Sequence, residues 1–478
     1  MRWEELEDAL EVLQSEREYD GYFCSIKDAV IIVMLGSLCD LKSVKKIHTW
    51  ATSEHVKAFL EKEFGIKRIP CYWWLLSLLA MVSPASLNRC MKNWVSSLVP
   101  HLAEKLEAEE EEQNKKKKKS LTIAIDGKEI RSTGKMKKYD SPLHIVSAQI
   151  GELGLTLAQE TVQSKSNEIP AVQELIKTLE IAGCMVAADA LNCQIYTAQA
   201  IIDAKADYLL SAKGNQKELM NDIEQYVQDE KLRSMMDSVT QTEKGHGRVE
   251  TRSAYTTDDV EWQPGGRVWP AVKCIGAVHT RFETDKGVTE QWHYYISSKV
   301  LSAEELLHHA RTEWSVESMH WLLDVHFDED KCRIQSKNIQ QNLNMLHKVA
   351  LNIVRIYKRE TQSKLALNGI MFRALMNPHA LLPLLGKNCI RMYKEYRTIK
   401  AIEAVRYIYF AQGNKKTETV SPRSSNCSAM IRLSFLQKAL SPYNPGSTIL
   451  PQPRLSAFRR HYSTIRAPCQ TEHYNTYE

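Results

Sequence analysis

The sequence lacks the cysteine pattern of a disulfide-bonded or zinc-binding protein. Its 478 residues include 11 cysteines, an odd number, scattered with no CxxC pair. We therefore expect a reducing compartment rather than a secreted disulfide scaffold. The acidic, amphipathic start MRWEELEDALEVL also lacks the features of a signal peptide. A cytoplasmic protein is the expectation.

Long hydrophobic runs and a strong charge of one sign are missing as well. The apolar stretch CYWWLLSLLAMVSP at 71–84 falls short of the roughly 20 residues that a bilayer requires, so it is predicted to be a buried helix. The net charge is +5, which permits nucleic-acid binding without demonstrating it. With 43% hydrophobic and 25% charged residues, the composition is that of a globular chain with about two to four domains.

Helical periodicity dominates the N-terminal part of the chain. Apolar residues recur at helical spacing through 1–105, which predicts an all-helical domain. The glutamate block and the lysine block of EAEEEEQNKKKKKS predict a solvated linker at 106–120. A C-terminal extension at 386–478 is predicted to be partly disordered, because Ser, Pro, Asn and Thr are frequent and periodicity is weak beyond about 413.

Between these parts the apolar period changes from helical to strand-like. The runs LTIAIDG, LHIVSAQI and LTLAQETV predict an antiparallel meander, after which helix, strand, helix and strand follow. This order predicts an α/β fold with a mixed sheet, whose parallel strands are joined by right-handed crossovers. Residues 240–300 are strand-rich again, and helices resume from about 302.

Three acidic residues stand out as candidates for chemistry. Asp126 and Asp189 each end a buried strand, where open α/β sheets place ligands, and Glu317 lies on a later helix beside an apolar stripe. Carboxylates that converge from different elements are what a magnesium-dependent phosphoryl-transfer site requires. Each aspartate also has an ordinary interpretation, because Asp126 before Gly127 suits a turn and Asp189 could cap the following helix.

Eight ordered segments give the chain a specific resemblance. They are AIDGKEIR, KSNEIPAV, ADALNCQ, LLSAKGNQ, KGHGRVETR, YYISS, WSVESMHWLLDVHFDED and NLNMLHKVALNIV. In order and spacing they resemble the H repeat-associated transposases, a group of the DDE superfamily of insertion-sequence transposases, over about residues 5–385. The resemblance implies a ribonuclease-H-like catalytic domain at 121–385 with a β-rich insertion at 240–300. A helical transposase-associated domain at 1–105 would precede it.

The resemblance also implies the catalytic residues. Asp126, Asp189 and Glu317 would be catalytic and would bind two Mg²⁺ ions, or Mn²⁺ in their place. The wider superfamily signature has Tyr, Arg, Glu and Lys at positions that here hold Ala310, Glu313, Glu317 and Asp324. The phosphate contacts of that Arg and Lys must therefore come from elsewhere in the chain.

Other acids of these segments are expected to be structural. Glu168 is expected to stabilise a helix N-terminus rather than to bind metal. The acids at 328–330 are expected to be solvated, or to pair with Lys331 and Arg333.

Basic and aromatic residues supply candidates for DNA contacts. Some follow the ends of predicted strands, and others alternate in HGRVETR and so share one face of a strand. Arginines there could hold phosphates with forked hydrogen bonds, or could pair with the intervening Glu250. Two tryptophans beside Glu317 could stack on an unpaired base, or could simply pack the helix. The candidates are Lys128, Arg131, Lys213, His246, Arg248, Arg252, Trp314 and Trp321.

Together these features predict a DNA transposase of an insertion sequence. Such an enzyme would cleave DNA at terminal inverted repeats and transfer the strand to target DNA. DNA would be its partner, a homodimer is expected because two ends must meet, and no membrane partner is expected. Its place would be the cytoplasm of a prokaryote, at the nucleoid. Two alternatives stay open: a catalytically inactive, domesticated or degraded transposase that only binds DNA, which the unpatterned tail favours, and another metal-dependent phosphohydrolase on the same fold.

Overall fold

A computed structural model describes residues 3–20, 23–112, 120–131, 142–162, 168–245, 248–261, 268–285 and 287–387. Residues 113–119 of the predicted linker, nearly all of the C-terminal extension and His246 lie outside these ranges, and the predicted domain boundaries stay predictions. Within these ranges, no helix combines the length and the apolar character needed to cross a membrane.

The chain begins with helices, as the periodicity predicts. The second helix is capped by Ser25, the residue just before it. The Ser25 hydroxyl accepts from the backbone N–H of Asp28, and the Asp28 carboxylate accepts from the backbone N–H of Ser25. The fifth helix was predicted to be buried, but only one of its faces is, and Trp73 is 74% exposed. The helices are α1 (Trp3–Glu11), α2 (Ile26–Leu38), α3 (Val44–Ala51), α4 (Glu54–Phe64), α5 (Tyr72–Met81) and α6 (Pro84–Glu112).

A nine-stranded mixed sheet follows, in the order β3-β2-β1-β4-β5-β9-β8-β7-β6. Its first five strands form an antiparallel meander plus two strands parallel to β1, which is the ribonuclease-H-like arrangement. The predicted insertion extends the same sheet beyond β5 as an antiparallel meander. The strands are β1 (Thr122–Ile130), β2 (Leu143–Ile150), β3 (Leu155–Val162), β4 (Met185–Ala188), β5 (Asp207–Ala212), β6 (Asp237–Gly245), β7 (Arg248–Thr257), β8 (Cys274–Thr284) and β9 (Gly287–Ser297).

Helices connect the parallel strands and cover the sheet. One cluster of buried apolar side chains runs from the N-terminal helices through the sheet to the C-terminal helices. The remaining helices are α7 (Glu168–Thr178), α8 (Ile195–Asp203), α9 (Lys217–Gln228), α10 (Glu230–Met235), α11 (Ala303–Glu313), α12 (Ser315–Phe327), α13 (Lys337–Glu360), α14 (Leu367–Met376) and α15 (Leu381–Leu384).

The edge strand β3 is covered by two asparagine side chains. Asn88 of α6 accepts from the Gln159 N–H at 3.1 Å and donates to the Gln159 carbonyl at 2.6 Å. Asn352 of α13 accepts from the Thr156 N–H and donates to its carbonyl, both at 2.9 Å. These amides satisfy backbone groups that an edge strand otherwise leaves open.

Candidate active site

The sheet register brings Asp126 and Asp189 together. Ile125 of β1 lies opposite Ala188 of β4 in a parallel pair, so the next residues, Asp126 and Asp189, are neighbours across strands about 4.8 Å apart. Asp126 does not end its strand, as the sequence suggested, because β1 continues its pairing with β2 as far as Ile130 opposite Leu143. Asp126 lies in the middle of a strand, and Asp189 directly follows one.

Asp189 is held by the short 3₁₀ turn that it caps. Its carboxylate accepts from the Asn192 backbone N–H at 3.4 Å and from the Asn192 amide at 3.0 Å. Burial raises the pKa of Asp189, and the nearby charges of Asp126 and Glu168 raise it further, although the Asn192 hydrogen bonds oppose the shift. The capping role and a place among other carboxylates therefore coexist in this residue.

Glu313, the last residue of α11, is a further acid at the same place. Burial raises its pKa to about 8, and the charges of Asp126, Asp189 and Glu317 raise it in the same direction, while Lys213 opposes them. The sequence marked this position only as one where the superfamily arginine is absent. Its proximity to the aspartates depends on the packing of α11 against β1 and β4, which no local sequence pattern reveals.

Glu317 lies one turn into α12 and is exposed. It lines a cavity of about 330 Å³ together with Gly127, Lys128, His320 and Asp324. His320, one turn further along α12, places its Nδ1 atom 3.3 Å from Oδ2 of Asp126. The helix predicted from the apolar stripe is confirmed, since Val316, Met319, Leu323 and Phe327 are all buried.

Lys213 is the cation that faces this group of acids. It follows β5 and is exposed, and its charge lowers the pKa of His293, after burial, as well as that of Glu313. The turn after Lys213 is fixed to the turn after Asp189, because the Gln216 amide donates to the Cys193 carbonyl at 3.0 Å. Two neighbouring strand ends are thereby locked together.

Lys128, predicted to contact DNA, forms ion pairs with two acidic side chains. Its ammonium lies 2.9 Å from Asp324 and 3.1 Å from Glu329, and only 13% of its side chain is exposed. Glu329 is itself buried, and its pKa is lowered chiefly by Lys128 and Lys348 against the effect of burial. Lys128 is therefore part of an ion-pair network, and its role in phosphate binding stays a prediction. Glu329 is buried rather than solvated.

Arg252 is also enclosed by acids. It pairs with Glu250 and lies 3.1 Å from Glu243, with 9% of its side chain exposed. The pair with Glu250 is the alternative that the sequence left open, and the role of Arg252 in DNA binding stays a prediction.

Arg248 keeps half of its side chain exposed and lies over the Phe282 ring at 5.1 Å. Arg131 is 81% exposed and lies 3.7 Å from Asp330. The Trp314 ring meets the His293 ring edge-on at 5.4 Å, and Trp321 is 63% exposed. The roles of these four residues in DNA binding stay predictions.

A buried acid behind the aspartates extends the site. Glu168 lies 2.7 Å from Nε2 of His144, and the Asn192 amide donates to Glu168 at 3.4 Å as well as to Asp189. A Cβ atom at Gly127 would lie 2.5 Å from Nε2 of His144 and 2.8 Å from the Glu168 carboxylate, so any larger residue there would displace this pair. Glu168 thus supports Asp189 through Asn192, beyond the helix-end role expected for it. In the sequence, Glu168 belongs to KSNEIPAV and Asn192 to ADALNCQ, two of the eight ordered segments. Their place in these segments was the sequence feature that could have pointed to the site.

A separate group of residues of metal-binding types lies beside Thr122, at the start of β1. Ligand atoms of Glu152, His308 and His309 approach within 4.8 Å of one another. Thr122, the first residue of β1, donates its backbone N–H to Glu152, and its hydroxyl lies 2.8 Å from Nδ1 of His309. These contacts form a closed hydrogen-bond network, which does not include Asp126 or Asp189.

Comparisons with known proteins identify the family of the chain. A family model described as the transposase DDE domain matches residues 117–353. YncI of Escherichia coli O157:H7, named as a transposase, is 36% identical over 265 residues, covering 52% of this chain and 66% of its own length. YhhI of Escherichia coli K12, named as an H repeat-associated transposase, is 29% identical over 310 residues, covering 62% and 77%. YbfD of the same strain, named likewise, is 31% identical over 185 residues, covering 38% and 67%.

Among solved structures, the piggyBac transposase synaptic complex with hairpin DNA aligns with 90% of this chain and 85% of its own. Its TM-score is 0.37 at 10% identity, which is too low to support a conclusion. The sequence relatives and the DDE domain are sufficient without it: the chain belongs to the H repeat-associated transposases of the DDE superfamily.

Proposed function

We propose that the protein cleaves DNA at the ends of its own insertion sequence and joins the freed strand to target DNA. The observation that carries this proposal is the in-register pair of Asp126 and Asp189, with Glu313 and Glu317 added from α11 and α12. Burial and the charge of Asp126 raise the pKa values of Asp189 and Glu313, while Asn192 opposes the shift at Asp189 and Lys213 opposes it at Glu313, a pattern typical of carboxylates that crowd together at a functional site.

The donor set of this site fits a hard divalent cation. Carboxylate oxygens are the ligands that Mg²⁺ prefers, and uncompensated negative charge favours its binding. Asp126, Asp189 and Glu317 would hold two Mg²⁺ ions, or Mn²⁺ in their place. When bound, the ions would stabilise charge on the attacking and leaving oxygens of an in-line displacement.

The side chains around the carboxylates would position the reacting groups. His320, at 3.3 Å, would orient Asp126, and Asn192 would orient Asp189. Lys213 would attract the scissile phosphate. Water would attack phosphorus and break the P–O3′ bond, leaving a 3′-hydroxyl and a 5′-phosphate. The freed hydroxyl would then attack a phosphodiester of the target and break its P–O3′ bond, so that the target strand leaves with a 3′-hydroxyl and no covalent intermediate forms on the protein.

The partners and the setting belong to the same proposal. Terminal inverted repeats and target DNA would be the ligands, and a homodimer would bring the two ends together. The protein would act at the prokaryotic nucleoid.

The test is a nicking assay with the full chain, Mg²⁺ and DNA cloned from both flanks of its gene. Wild type should nick at the element ends, whereas Asp126→Asn should not. Asp203→Asn, an exposed acid on α8, is the matched control and should keep full activity. Nicking by Asp126→Asn at the wild-type rate would refute the assignment of the site.

A DNA-binding protein without turnover is the second candidate. It is favoured by the replacement of two basic signature positions by Glu313 and Asp324, the latter paired with Lys128. Binding of the flanking DNA by wild type with no nicking would establish it. Hydrolysis of a small phosphate ester, with no preference for the element ends, would instead indicate a phosphohydrolase.

A further inference from the structure

We propose that a basic groove beside the active site binds the sugar–phosphate backbone of the DNA duplex that leads away from the cleavage point. This inference rests on the proposed DNA transposase function and adds a surface to it. The groove lies between α3, α5 and the segment after α12, and it encloses about 620 Å³. Its rim is formed by Lys42, Lys45, Lys46, Trp73, Lys331 and Arg333.

The groove adjoins the cavity that contains Glu317. Ile130 and Glu329 line the groove, while the next residues along the chain, Arg131 and Asp330, line the cavity. Both openings therefore meet at the end of β1 and just after α12. A duplex whose scissile phosphate lies near Glu317 would have to cross one of the surfaces that flank this cavity.

The charge of the groove suits a phosphate backbone. Lys45, Lys46 and Arg333 are exposed, and among the residues that the structure describes none of the three has a carboxylate within ion-pair distance. The two acids that line the groove are already matched, since Glu329 pairs with Lys128 and Asp328 lies 3.1 Å from Lys331 and 3.8 Å from Lys42. A net positive rim remains, as backbone binding requires.

The aromatic part of the rim points in the same direction. Trp73 is 74% exposed although its neighbours on α5, Leu75 and Leu78, are fully buried. A large exposed indole beside cations is costly to leave in water, and a sugar or base face would cover it. The N-terminal helices would thus contribute directly to holding DNA.

Phosphate contacts predict a specific salt dependence. Each cation that neutralises a phosphate steepens the fall of log K with log salt by about one, because counterions are released. Replacing three such cations should therefore flatten the slope by about three and lower affinity about tenfold at moderate salt.

The experiment compares two triple variants of the full chain. Lys45→Ala/Lys46→Ala/Arg333→Ala removes the groove cations, and Lys57→Ala/Lys231→Ala/Lys364→Ala removes three exposed lysines that do not line the groove. Binding of a fluorescent duplex from the gene flanks is measured from low to moderate salt, with thermal melting to confirm folding. The groove variant should bind more weakly with the flatter slope, and the control variant should match wild type.

An unchanged slope of log K against log salt in a folded groove variant would refute DNA binding by the groove. Equal losses of affinity in both variants would refute it as well. If wild type still nicks the element ends in that case, the proposed function survives without the groove. A wild-type chain that neither binds nor nicks DNA would refute both.

Discussion

Two acid-rich regions lie side by side on β1 and α12, and they differ in how their charge is matched. In the active site, burial and the charge of Asp126 raise the pKa values of Asp189 and Glu313, and Lys213 opposes the shift at Glu313. In the neighbouring network, Asp324 and Glu329 share Lys128, and Lys348 adds a second buried charge.

This difference distinguishes carboxylates that could bind a cation from carboxylates that stabilise the fold. Unmatched carboxylates destabilise the metal-free protein but provide affinity for a cation, whereas matched carboxylates are saturated and hold elements together. Glu317 and Glu329, only twelve positions apart in one motif, illustrate the contrast, since the first is exposed in a cavity and the second is buried. Residue type does not decide between these roles; the number of nearby cations does.

The largest expected effect is loss of stability in Glu329→Gln. This change leaves Lys128 and Lys348 short of a buried counter-charge, so the free energy of unfolding should fall by about 3–5 kcal/mol. Denaturant unfolding at neutral pH measures it. Glu317→Gln, which removes an exposed acid of the active site, should cost almost nothing. Equal losses in the two variants would remove the distinction between the regions.

A second effect concerns the pH dependence of stability in Glu313→Gln. The pKa of Glu313 in the folded protein, about 8, lies above its unfolded value. Its contribution to stability is therefore present below the unfolded pKa of about 4.5 and is lost as pH rises through 8. The Gln variant does not titrate, so its stability should gain on that of wild type between pH 5 and 8. Melting curves in EDTA test this, and parallel pH profiles would contradict it.

The smallest effect is the coupling between Lys128 and Glu329. Lys128→Met alone leaves Glu329 with Lys348, so it should destabilise less than Glu329→Gln. The double variant should lose less than the sum of the single losses, by about 0.5–3 kcal/mol, because the two residues interact directly. Additive losses would show that the 3.1 Å contact contributes little. Pairing Lys128→Met with Asp203→Asn is the additive reference.

The sequence predicted which segments form strands better than it predicted where those strands begin and end. The apolar runs of the meander became β1 to β3, but β1 continues past Asp126 because its later residues pair with β2 and Lys128 reaches Glu329, some 200 residues away. Strand β6 begins at Asp237, before the predicted strand-rich range of 240–300, because its pairing with β7 rather than a buried face holds it in place.

Within the site, the motifs identified Asp126 and Asp189, and only the register of β1 with β4 explains why they meet. The position of Glu313, the contact of Asn192 with Glu168 and the burial of Glu329 depend on neighbours from other segments of the chain. Local periodicity carries no information about such partners. The same holds for Lys128, whose partner Glu329 lies about 200 residues further along the chain. The pairing of Arg252 with Glu250 on its own strand is the alternative that the sequence left open.

The two asparagine clamps on β3 have a consequence for shortened forms of the protein. Asn88 comes from the helical start of the chain and Asn352 from its later part. A fragment that begins at the transposase DDE domain would keep the second clamp and lose the first. The N–H and carbonyl of Gln159 would then be open to strand addition from another molecule, and such a fragment should aggregate where the longer chain does not.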